Sequence, residues 1–219
     1  AKLAISLNNK NETLWSILAE AQIANNLHTK ALKSLDEGKK INPMMSELYF
    51  AESNIYLSKE NFNKAKKAIM KGLEIEPENT TAIFQLGNIH LMEKNYSKAI
   101  KSFNKAIKLK KDFWQAKNNI GLAYFELEKI ELSIQYFEEA ISFEKNAEPM
   151  LGLATSIQTK DRKRAVDLTK KALLKDPKYV SNSYRKEQLW GEKIQKATKK
   201  LLDFEELKAD IIFAKKYLN

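Results

Sequence analysis

The chain has 219 residues, of which 43% are hydrophobic and 30% are charged, and its formal net charge is +10. This composition excludes a mostly disordered chain, and 6 glycines with 4 prolines are too few for a strand-rich fold with many tight turns. The absence of cysteine excludes disulfides and thiolate metal sites, and 2 histidines leave little material for metal or acid–base chemistry. We therefore expect an all-helical protein that is not an enzyme and that takes no cofactor or metal.

Residues 1–11 precede the regular pattern of the chain. Ala4, Ile5 and Leu7 fall on the same register as the later stretch Lys105–Lys111, which predicts the tail helix of a truncated upstream repeat. A short native capping helix is the alternative. Under the first interpretation any targeting or anchoring segment upstream would be invisible in this sequence, so the localisation stays unknown. No apolar run in the chain is long enough to span a bilayer.

From residue 12 onward the sequence is periodic, with four units that begin 34 residues apart at Glu12, Ser46, Thr80 and Trp114. Three columns carry small residues, which allow two helices to approach closely, and bulky apolar residues recur between them at helical spacing. Each unit is predicted to be a helix of about 13 residues, a short turn and a second helix of similar length. The small residues are Ala19, Ser53, Gly87 and Gly121; Ala31, Ala65, Ala99 and Ser133; and Gly38, Gly72, Ala106 and Ala140.

These columns resemble the tetratricopeptide repeat, most closely over Ile83–Ile107 and Asn119–Ile141, and the helix-ending proline of that family falls on Pro43 and Pro77. A shortened fifth unit begins near Ala147. The resemblance implies an all-α fold, a right-handed α-solenoid, and a non-enzymatic scaffold for protein–protein interaction. One repeat scaffold carries many functions, so the partner stays unknown. The five predicted repeats are 12–45, 46–79, 80–113, 114–146 and 147–179.

Residues 180–219 leave the repeat pattern and are predicted to form C-terminal capping helices, because the last repeat would otherwise expose an apolar face. Asp203 with Glu206 is predicted to be the N-cap pair between the two helices. The alternative is an autoinhibitory segment that lies in the binding groove. The stretch 186–202 also resembles the tails of some cyanobacterial and plastid repeat proteins, which would favour a role in assembling larger complexes. The two apolar stripes are Leu189, Trp190, Ile194, Ala197 and Leu201, and Phe204, Leu207, Ile211, Ala214 and Leu218.

In the tetratricopeptide family the first helix of each repeat lines a concave groove, and the resemblance places aromatic, aliphatic and amide side chains there. Asparagine both donates and accepts hydrogen bonds, so it can pair with a peptide backbone, while Phe and Met hold apolar side chains. Phe50 and Phe84 are predicted to face the groove, because the neighbouring core columns are already filled. Leu91 and Leu122 have packing between repeats as the alternative. The predicted partner-binding residues are Phe50, Asn54, Phe84, Asn88, Leu91, Met92, Asn118, Leu122 and Phe125.

Chaperone adaptors of this family clamp a C-terminal carboxylate with Lys and Arg side chains in the groove. In this chain no basic residue stands at those positions, and Glu20 would repel a carboxylate. We therefore expect no chaperone-tail clamp of this type. The matching positions carry Ser16, Glu20, Ala51, Thr81 and Gln85.

Positive charge concentrates near the C-terminus, where residues 147–219 carry 17 basic and 10 acidic side chains, against 9 and 10 in residues 12–79. An alternative function is therefore electrostatic docking to an anionic membrane, a nucleic acid or an acidic protein. A nucleic acid is the less favoured of these, since lysine far outnumbers arginine and no nucleic-acid motif is present. A further alternative is self-association into a homo-oligomer through the open N-terminal repeat face. The predicted basic patch is Lys160, Arg162, Lys163, Arg164, Lys196, Lys199 and Lys200.

Overall fold

A computed structural model of the chain describes residue 8 and residues 10–218. Within these residues the secondary structure is helical and contains no β-strand. The tail helix predicted at residues 1–11 lies almost wholly outside the described part. The chain divides into two compact units, residues 1–89 and residues 90–219.

Ten helices between residues 12 and 175 follow one another in pairs, and each of the five repeat ranges predicted from the sequence contains one pair. The first helix has 13 residues in the first four pairs and 11 in the fifth, and the second helix always has 14. The pairs are α1 (Glu12–Ala24) with α2 (His28–Ile41), α3 (Ser46–Ser58) with α4 (Phe62–Ile75), α5 (Thr80–Met92) with α6 (Tyr96–Leu109), α7 (Trp114–Glu126) with α8 (Ile130–Phe143), and α9 (Ala147–Ile157) with α10 (Arg162–Lys175).

The turn inside each of the first four pairs has the same backbone conformation. Its central residue is Asn26, Glu60, Lys94 or Glu128, each with a φ between 53° and 61°, and these four residues are again 34 positions apart. The next N–H donates a hydrogen bond of 2.8–2.9 Å to the carbonyl five residues earlier, which closes the first helix with a Schellman-type cap. The period in the sequence is therefore also a period in backbone geometry.

In the second unit, glycines mark the places where an aromatic ring fills the space between neighbouring helices. Phe137 of α8 is fully buried and lies against Gly121 of α7 and Gly152 of α9. A Cβ atom at Gly121 would lie 2.8 Å from the ring, and one at Gly152 would lie 2.6 Å away. The absent side chains at these two positions leave room for the phenylalanine, so small and large residues interlock in this unit.

After α10 the chain continues through a 3₁₀ turn (Pro177–Val180), α11 (Asn182–Glu187), α12 (Glu192–Leu202), a second 3₁₀ turn (Glu205–Leu207) and α13 (Lys208–Lys215). The two apolar stripes at the C-terminus thus do not correspond to two simple helices. Leu189 has a φ of 65° and Gly191 is extended, so Trp190 lies in a break and the helix begins only at Glu192.

The predicted N-cap role of Asp203 is wrong, because this residue is the C-cap of α12. The chain turns here so that Phe204 lies under the guanidinium of Arg162, with 3.8 Å between its central carbon and the ring centroid. Leu207 is fully buried in the same turn.

Among the described residues, no helix is both long and apolar enough to cross a membrane.

Replacing Gly152 with alanine should test the interlocking of Phe137 with the glycine column. We expect Gly152→Ala to lower the free energy of unfolding by about 1–3 kcal/mol, although alanine has the higher helix propensity by about 1 kcal/mol. Urea denaturation followed by circular dichroism measures this change. In a Phe137→Leu background the smaller side chain leaves room for the methyl group, so the same substitution should cost less. An equal cost in both backgrounds would show that the ring does not exclude the methyl group.

Candidate functional site

In the first unit, the fifth and ninth positions of the first helices carry the predicted partner-binding residues. On α3 these are Phe50 and Asn54, and Asn54 is exposed. Phe50 is half-buried, and its ring occupies the place of a Cβ atom at Gly72 of α4. One side of Phe50 therefore packs within the unit, which the sequence did not predict. On α5, Phe84 and Asn88 are both half-buried.

In the second unit, most of the predicted partner-binding residues lie inside the protein. Asn118 is 0% exposed, Leu122 1% and Phe125 8%, and all three lie on α7. Leu91 is also buried, whereas Met92 is 41% exposed. The first-helix face that the sequence predicts to be open to a partner is thus covered at α7.

The cover is a part of the same chain that we call the C-terminal segment, residues 177–202. Its helix α12 packs against both α7 and α9. Trp190, which is 3% exposed, and Ile194, which is 0% exposed, belong to one core cluster with Leu122 and Phe125. This burial makes the segment an integral part of the core, and it also places the segment on the predicted partner-binding face.

The start of α12 is held by a carboxylate from α7. The backbone N–H groups of Lys193 and Ile194 donate to Glu126 at 3.3 Å and 3.0 Å. These groups have no acceptor within their own helix, and a negative charge is favourable at a helix N-terminus. Gly191 precedes the helix, and a Cβ atom at this position would overlap the carboxyl group of Glu126. The segment is therefore held through its backbone at a point where a residue larger than glycine would displace the carboxyl group of Glu126.

The side chain of Trp190 is held by a second carboxyl group. Its indole Nε1 donates to Glu148 of α9 at 3.0 Å, and the side chains of Asn118 and Tyr179 also hydrogen-bond this group. Burial of the carboxyl group raises the pKa of Glu148 to about 7, although these hydrogen bonds act in the opposite direction. The Trp190 anchor thus combines an apolar ring with a polar contact to a carboxyl group that titrates near neutrality.

The rest of α12 makes polar contacts with the end of α9. The hydroxyl groups of Thr155 and Thr198 are 2.9 Å apart, and the side-chain amide of Gln158 donates to the carbonyl of Ala197 at 3.1 Å. The face formed by α7 and α9 therefore binds a helical segment through apolar burial, a capped helix terminus and contacts to backbone carbonyls.

Two exposed ion pairs flank the start of α12, between Lys193 and Glu128 and between Lys94 and Glu192, each at 2.6 Å. These lysines lower the pKa of both glutamates by hydrogen bonding. Because both pairs are exposed, they contribute little to stability.

The predicted basic patch separates into two groups. Three of its four residues between 160 and 164 form ion pairs with carboxylates on neighbouring elements, so much of their charge is neutralised. The pair with Arg162 is bidentate, at 2.9 and 2.8 Å, and lowers the pKa of Glu206 to about 2. Within the described residues, Lys163, Lys196, Lys199 and Lys200 form no ion pair. The pairs are Lys160 with Glu131, Arg162 with Glu206, and Arg164 with Glu138.

Sequence reasoning missed Glu126, Glu148 and Gly191 as residues that position the C-terminal segment. A signal was present for Glu126, because the same column carries Ala24, Ser58 and Met92 in the other units. Glu148 lies on a polar face in the sequence pattern and gives no such signal. Across residues 10–218, no three His, Asp or Glu side chains come together as a metal-binding group.

Two sequence profiles, both described as the tetratricopeptide repeat, match the chain, one at residues 81–113 and the other at residues 46–79 and 115–146. The chain therefore carries tetratricopeptide repeats between residues 46 and 146. No curated protein matches it in sequence. Tetratricopeptide-repeat proteins are generally non-enzymatic scaffolds for protein–protein interaction, and the repeats support an interaction role for this chain.

Solved structures share the fold at low sequence identity. YrrB, a tetratricopeptide-repeat protein with an unusual peptide-binding site, is 19% identical with a TM-score of 0.68, over 85% of this chain and 97% of YrrB. MamA from Desulfovibrio magneticus RS-1 is 18% identical with a TM-score of 0.69, over 74% and 93%. PilF of Pseudomonas aeruginosa is 14% identical with a TM-score of 0.64, over 94% and 97%. The predicted fold class, all-α and built from tetratricopeptide helix pairs, is confirmed.

Replacing Gly191 with alanine should disturb the start of α12. The added methyl group overlaps the carboxyl group of Glu126, so we expect Gly191→Ala to lower the free energy of unfolding by about 1–3 kcal/mol. Hydrogen exchange of the α12 amides, measured by mass spectrometry, should accelerate as well. The control Lys94→Gln removes only the exposed pair with Glu192 and should change both quantities little. Unchanged exchange of α12 in Gly191→Ala would contradict the capping role of Glu126.

Glu148 should make stability depend on pH. Its carboxyl group binds a proton more tightly in the folded chain, where its pKa is about 7, than at the ordinary value of 4.5. Its contribution to folding is therefore complete below the ordinary pKa and is lost as the pH rises through about 7. Glu148→Gln keeps an acceptor for Trp190 without the charge, so it should raise the free energy of unfolding near pH 8 by on the order of 1–3 kcal/mol.

Urea unfolding near pH 5 and pH 8, followed by tryptophan fluorescence, compares the Glu148→Gln variant with the wild type. The matched control is Glu144→Gln, because Glu144 is an exposed glutamate of the same unit. The same pH dependence in wild type and Glu148→Gln would contradict the role of this carboxyl group.

Proposed function

We propose that the chain is an interaction scaffold that binds a segment of a partner protein on the first-helix face of its first unit. The residues of this face are Phe50 and Asn54 on α3 and Phe84 and Asn88 on α5. The observation that carries the proposal is the C-terminal segment, which occupies the equivalent face of the second unit.

The first-helix faces of the two units are equivalent because their residues hold the same positions in the repeat. Phe50, Phe84 and Asn118 hold the fifth position of their helices, and Asn54, Asn88 and Leu122 hold the ninth, so each pair lies on one helix face. Asn118 and Leu122 are buried beneath a helix of the same chain. At the corresponding positions of the first unit, Asn54 is exposed and the other residues are half-buried. A face that binds one helical segment in the second unit is thus accessible at α3 in the first.

The composition of this face indicates the kind of segment that it would bind. The two phenylalanines offer partly exposed aromatic surface for one or two apolar anchors, and the exposed Asn54 can pair with a backbone or a polar side chain. Residues 12–79 are nearly neutral, so the attraction would depend little on salt. The peptide-binding site of YrrB is a precedent on the same fold at 19% identity.

The proposal includes a role in assembling a larger complex, which the likeness of residues 186–202 to cyanobacterial and plastid repeat-protein tails favours. A carboxylate clamp of the chaperone-adaptor type is not part of it, because Glu20 is exposed at the ninth position of α1.

Self-association through the N-terminal repeat face stays an alternative prediction, to be checked by concentration-dependent light scattering. The other alternative is electrostatic docking. It would depend on the unpaired lysines of α12, because most of the basic residues at 160–164 already form ion pairs.

A displayed peptide library selected on the full chain tests this proposal. Fluorescence polarisation then gives the dissociation constant of a selected peptide for wild type and variants. We expect Asn54→Asp to weaken binding by about tenfold or more, because it adds a charge within the bound surface, and we expect binding to persist at about 0.5 M salt. The matched control is Asn63→Asp, an exposed asparagine on the second helix of the same pair, which should leave binding unchanged.

Two outcomes would contradict the proposal. In one, the selected peptides bind wild type and Asn54→Asp equally. In the other, binding responds to Asn63→Asp and disappears in salt. Phe50→Ala is not the first variant to use, because Phe50 also packs against Gly72 and its loss would destabilise the unit.

A further inference from the structure

The C-terminal part of the second unit contains a partly open cavity of about 550 Å³ that plays no part in the proposed partner binding. It lies among the first 3₁₀ turn, α11, α12 and α13. Its charged and amide lining consists mainly of Arg185, Gln195, Lys196, Lys199, Asp203 and Lys215.

Arg185 is the deepest of these residues, with only 2% of its surface exposed. Its Nε donates to the side-chain oxygen of Gln195 at 3.0 Å, and its Nη1 donates to the carbonyl of Tyr179 at 2.5 Å. Both acceptors are neutral, and within the described residues Nη2 donates no hydrogen bond and no carboxylate pairs with the guanidinium. Burial lowers the pKa of Arg185 to about 10.

A buried charge without a counter-ion is unfavourable, and proteins normally pair such groups. In the same unit even the exposed Arg162 and Arg164 pair with glutamates. Arg185 is the more buried residue and has only neutral partners. Its unused donor and its positive charge therefore favour an anion in the cavity that it lines.

The other charged residues of the cavity strengthen this preference. Lys196, Lys199 and Lys215 are exposed at its rim, and none of them forms an ion pair within residues 10–218. Asp203 is the one carboxylate that lines the cavity. Four cationic groups against one carboxylate leave a net charge of +3 around a space with room for more than one phosphate group.

We propose that this cavity is a binding site for a phosphate-bearing anion. Arginine presents a planar donor array that matches phosphate oxygens, and the lysines supply additional positive charge that a dianion or polyanion would neutralise better than a monocarboxylate. The ligand is a small phosphorylated molecule or the phosphorylated headgroup of a lipid, and both share this chemistry. The site contains no residue of the first unit, so the two proposals are tested by different variants.

Isothermal titration of the full chain with pyrophosphate at constant ionic strength, with acetate as the comparison anion, tests the site. We expect saturable binding of pyrophosphate and none of acetate. Lys196→Gln with Lys199→Gln should weaken pyrophosphate binding by about tenfold or more, because each removes a charge-assisted contact. Asp203→Asn should strengthen it by about threefold, because it removes the opposing charge. These exposed positions are chosen over Arg185, which also holds Tyr179 and Gln195 in place.

The matched control is Lys98→Gln with Lys101→Gln, two exposed lysines of α6 whose loss changes the net charge by the same amount. It should alter the affinity by less than about twofold. Three results would overturn the proposal: no binding of pyrophosphate, equal weakening in both lysine double variants, or acetate binding as tightly as pyrophosphate.

Vesicles distinguish the two sources of phosphate. Sedimentation with phosphatidylcholine vesicles that contain a phosphatidylinositol phosphate, compared with phosphatidylcholine alone, measures headgroup binding. Co-sedimentation that pyrophosphate competes away and that the Lys196 and Lys199 variant loses assigns the site to a lipid headgroup. Pyrophosphate binding without co-sedimentation assigns it to a soluble phosphorylated molecule. Co-sedimentation that pyrophosphate does not affect and that the variant retains would count against the cavity as the membrane contact.

Discussion

Burial of Trp190 and Ile194 against α7 and α9 is the interaction on which the second unit depends. A tetratricopeptide helix pair has apolar surface on more than one side, and the repeat pattern alone covers only the sides that face neighbouring pairs. In this chain the first-helix face of the last two pairs is covered by residues that follow them. Leu122, Phe125, Trp190 and Ile194 consequently belong to one core, and the repeats cannot be separated from the segment that covers them.

The polar contacts of this interaction explain why the segment has one register. An apolar stripe alone would allow α12 to slide along the surface, because burial has no direction. Glu126 holds the first turn by its backbone N–H groups, and Glu148 holds the indole of Trp190. Two carboxyl groups that belong to different repeats thus fix the helix at its first turn and at Trp190, two residues before its start, and Gly191 lets the backbone approach the first of them.

The two surfaces that we propose for binding differ in how they arise. The C-terminal segment covers the first-helix face in the second unit, while in the first unit Asn54 is exposed, and we propose that this face binds another protein. Beyond α12 the chain turns at Asp203 and continues into α13, so that α11, α12 and α13 together line the partly open cavity beside Arg185. A protein-binding face and an anion-binding cavity in one chain would allow a scaffold to respond to a small ligand or a membrane surface as well as to its partner.

The sequence by itself determined the helix pairs, their period and the tetratricopeptide family, because small residues 34 positions apart and apolar residues at helical spacing are local signals. It also indicated that residues beyond 180 leave the pattern and carry apolar stripes. It did not determine that Asn118, Leu122 and Phe125 would be buried, since the same positions of the repeat hold the exposed Asn54 and the half-buried Phe50 and Leu57 in the first unit. Only the tertiary structure decided this, because it brings Trp190 and Ile194 back over α7 from about 70 residues away, and contacts across such a distance leave no periodic trace in the sequence. The environment of Arg185 could not be predicted from the sequence for the same reason. Its positive charge is visible in the sequence, but its burial beside neutral acceptors depends on how α11, α12 and α13 pack together.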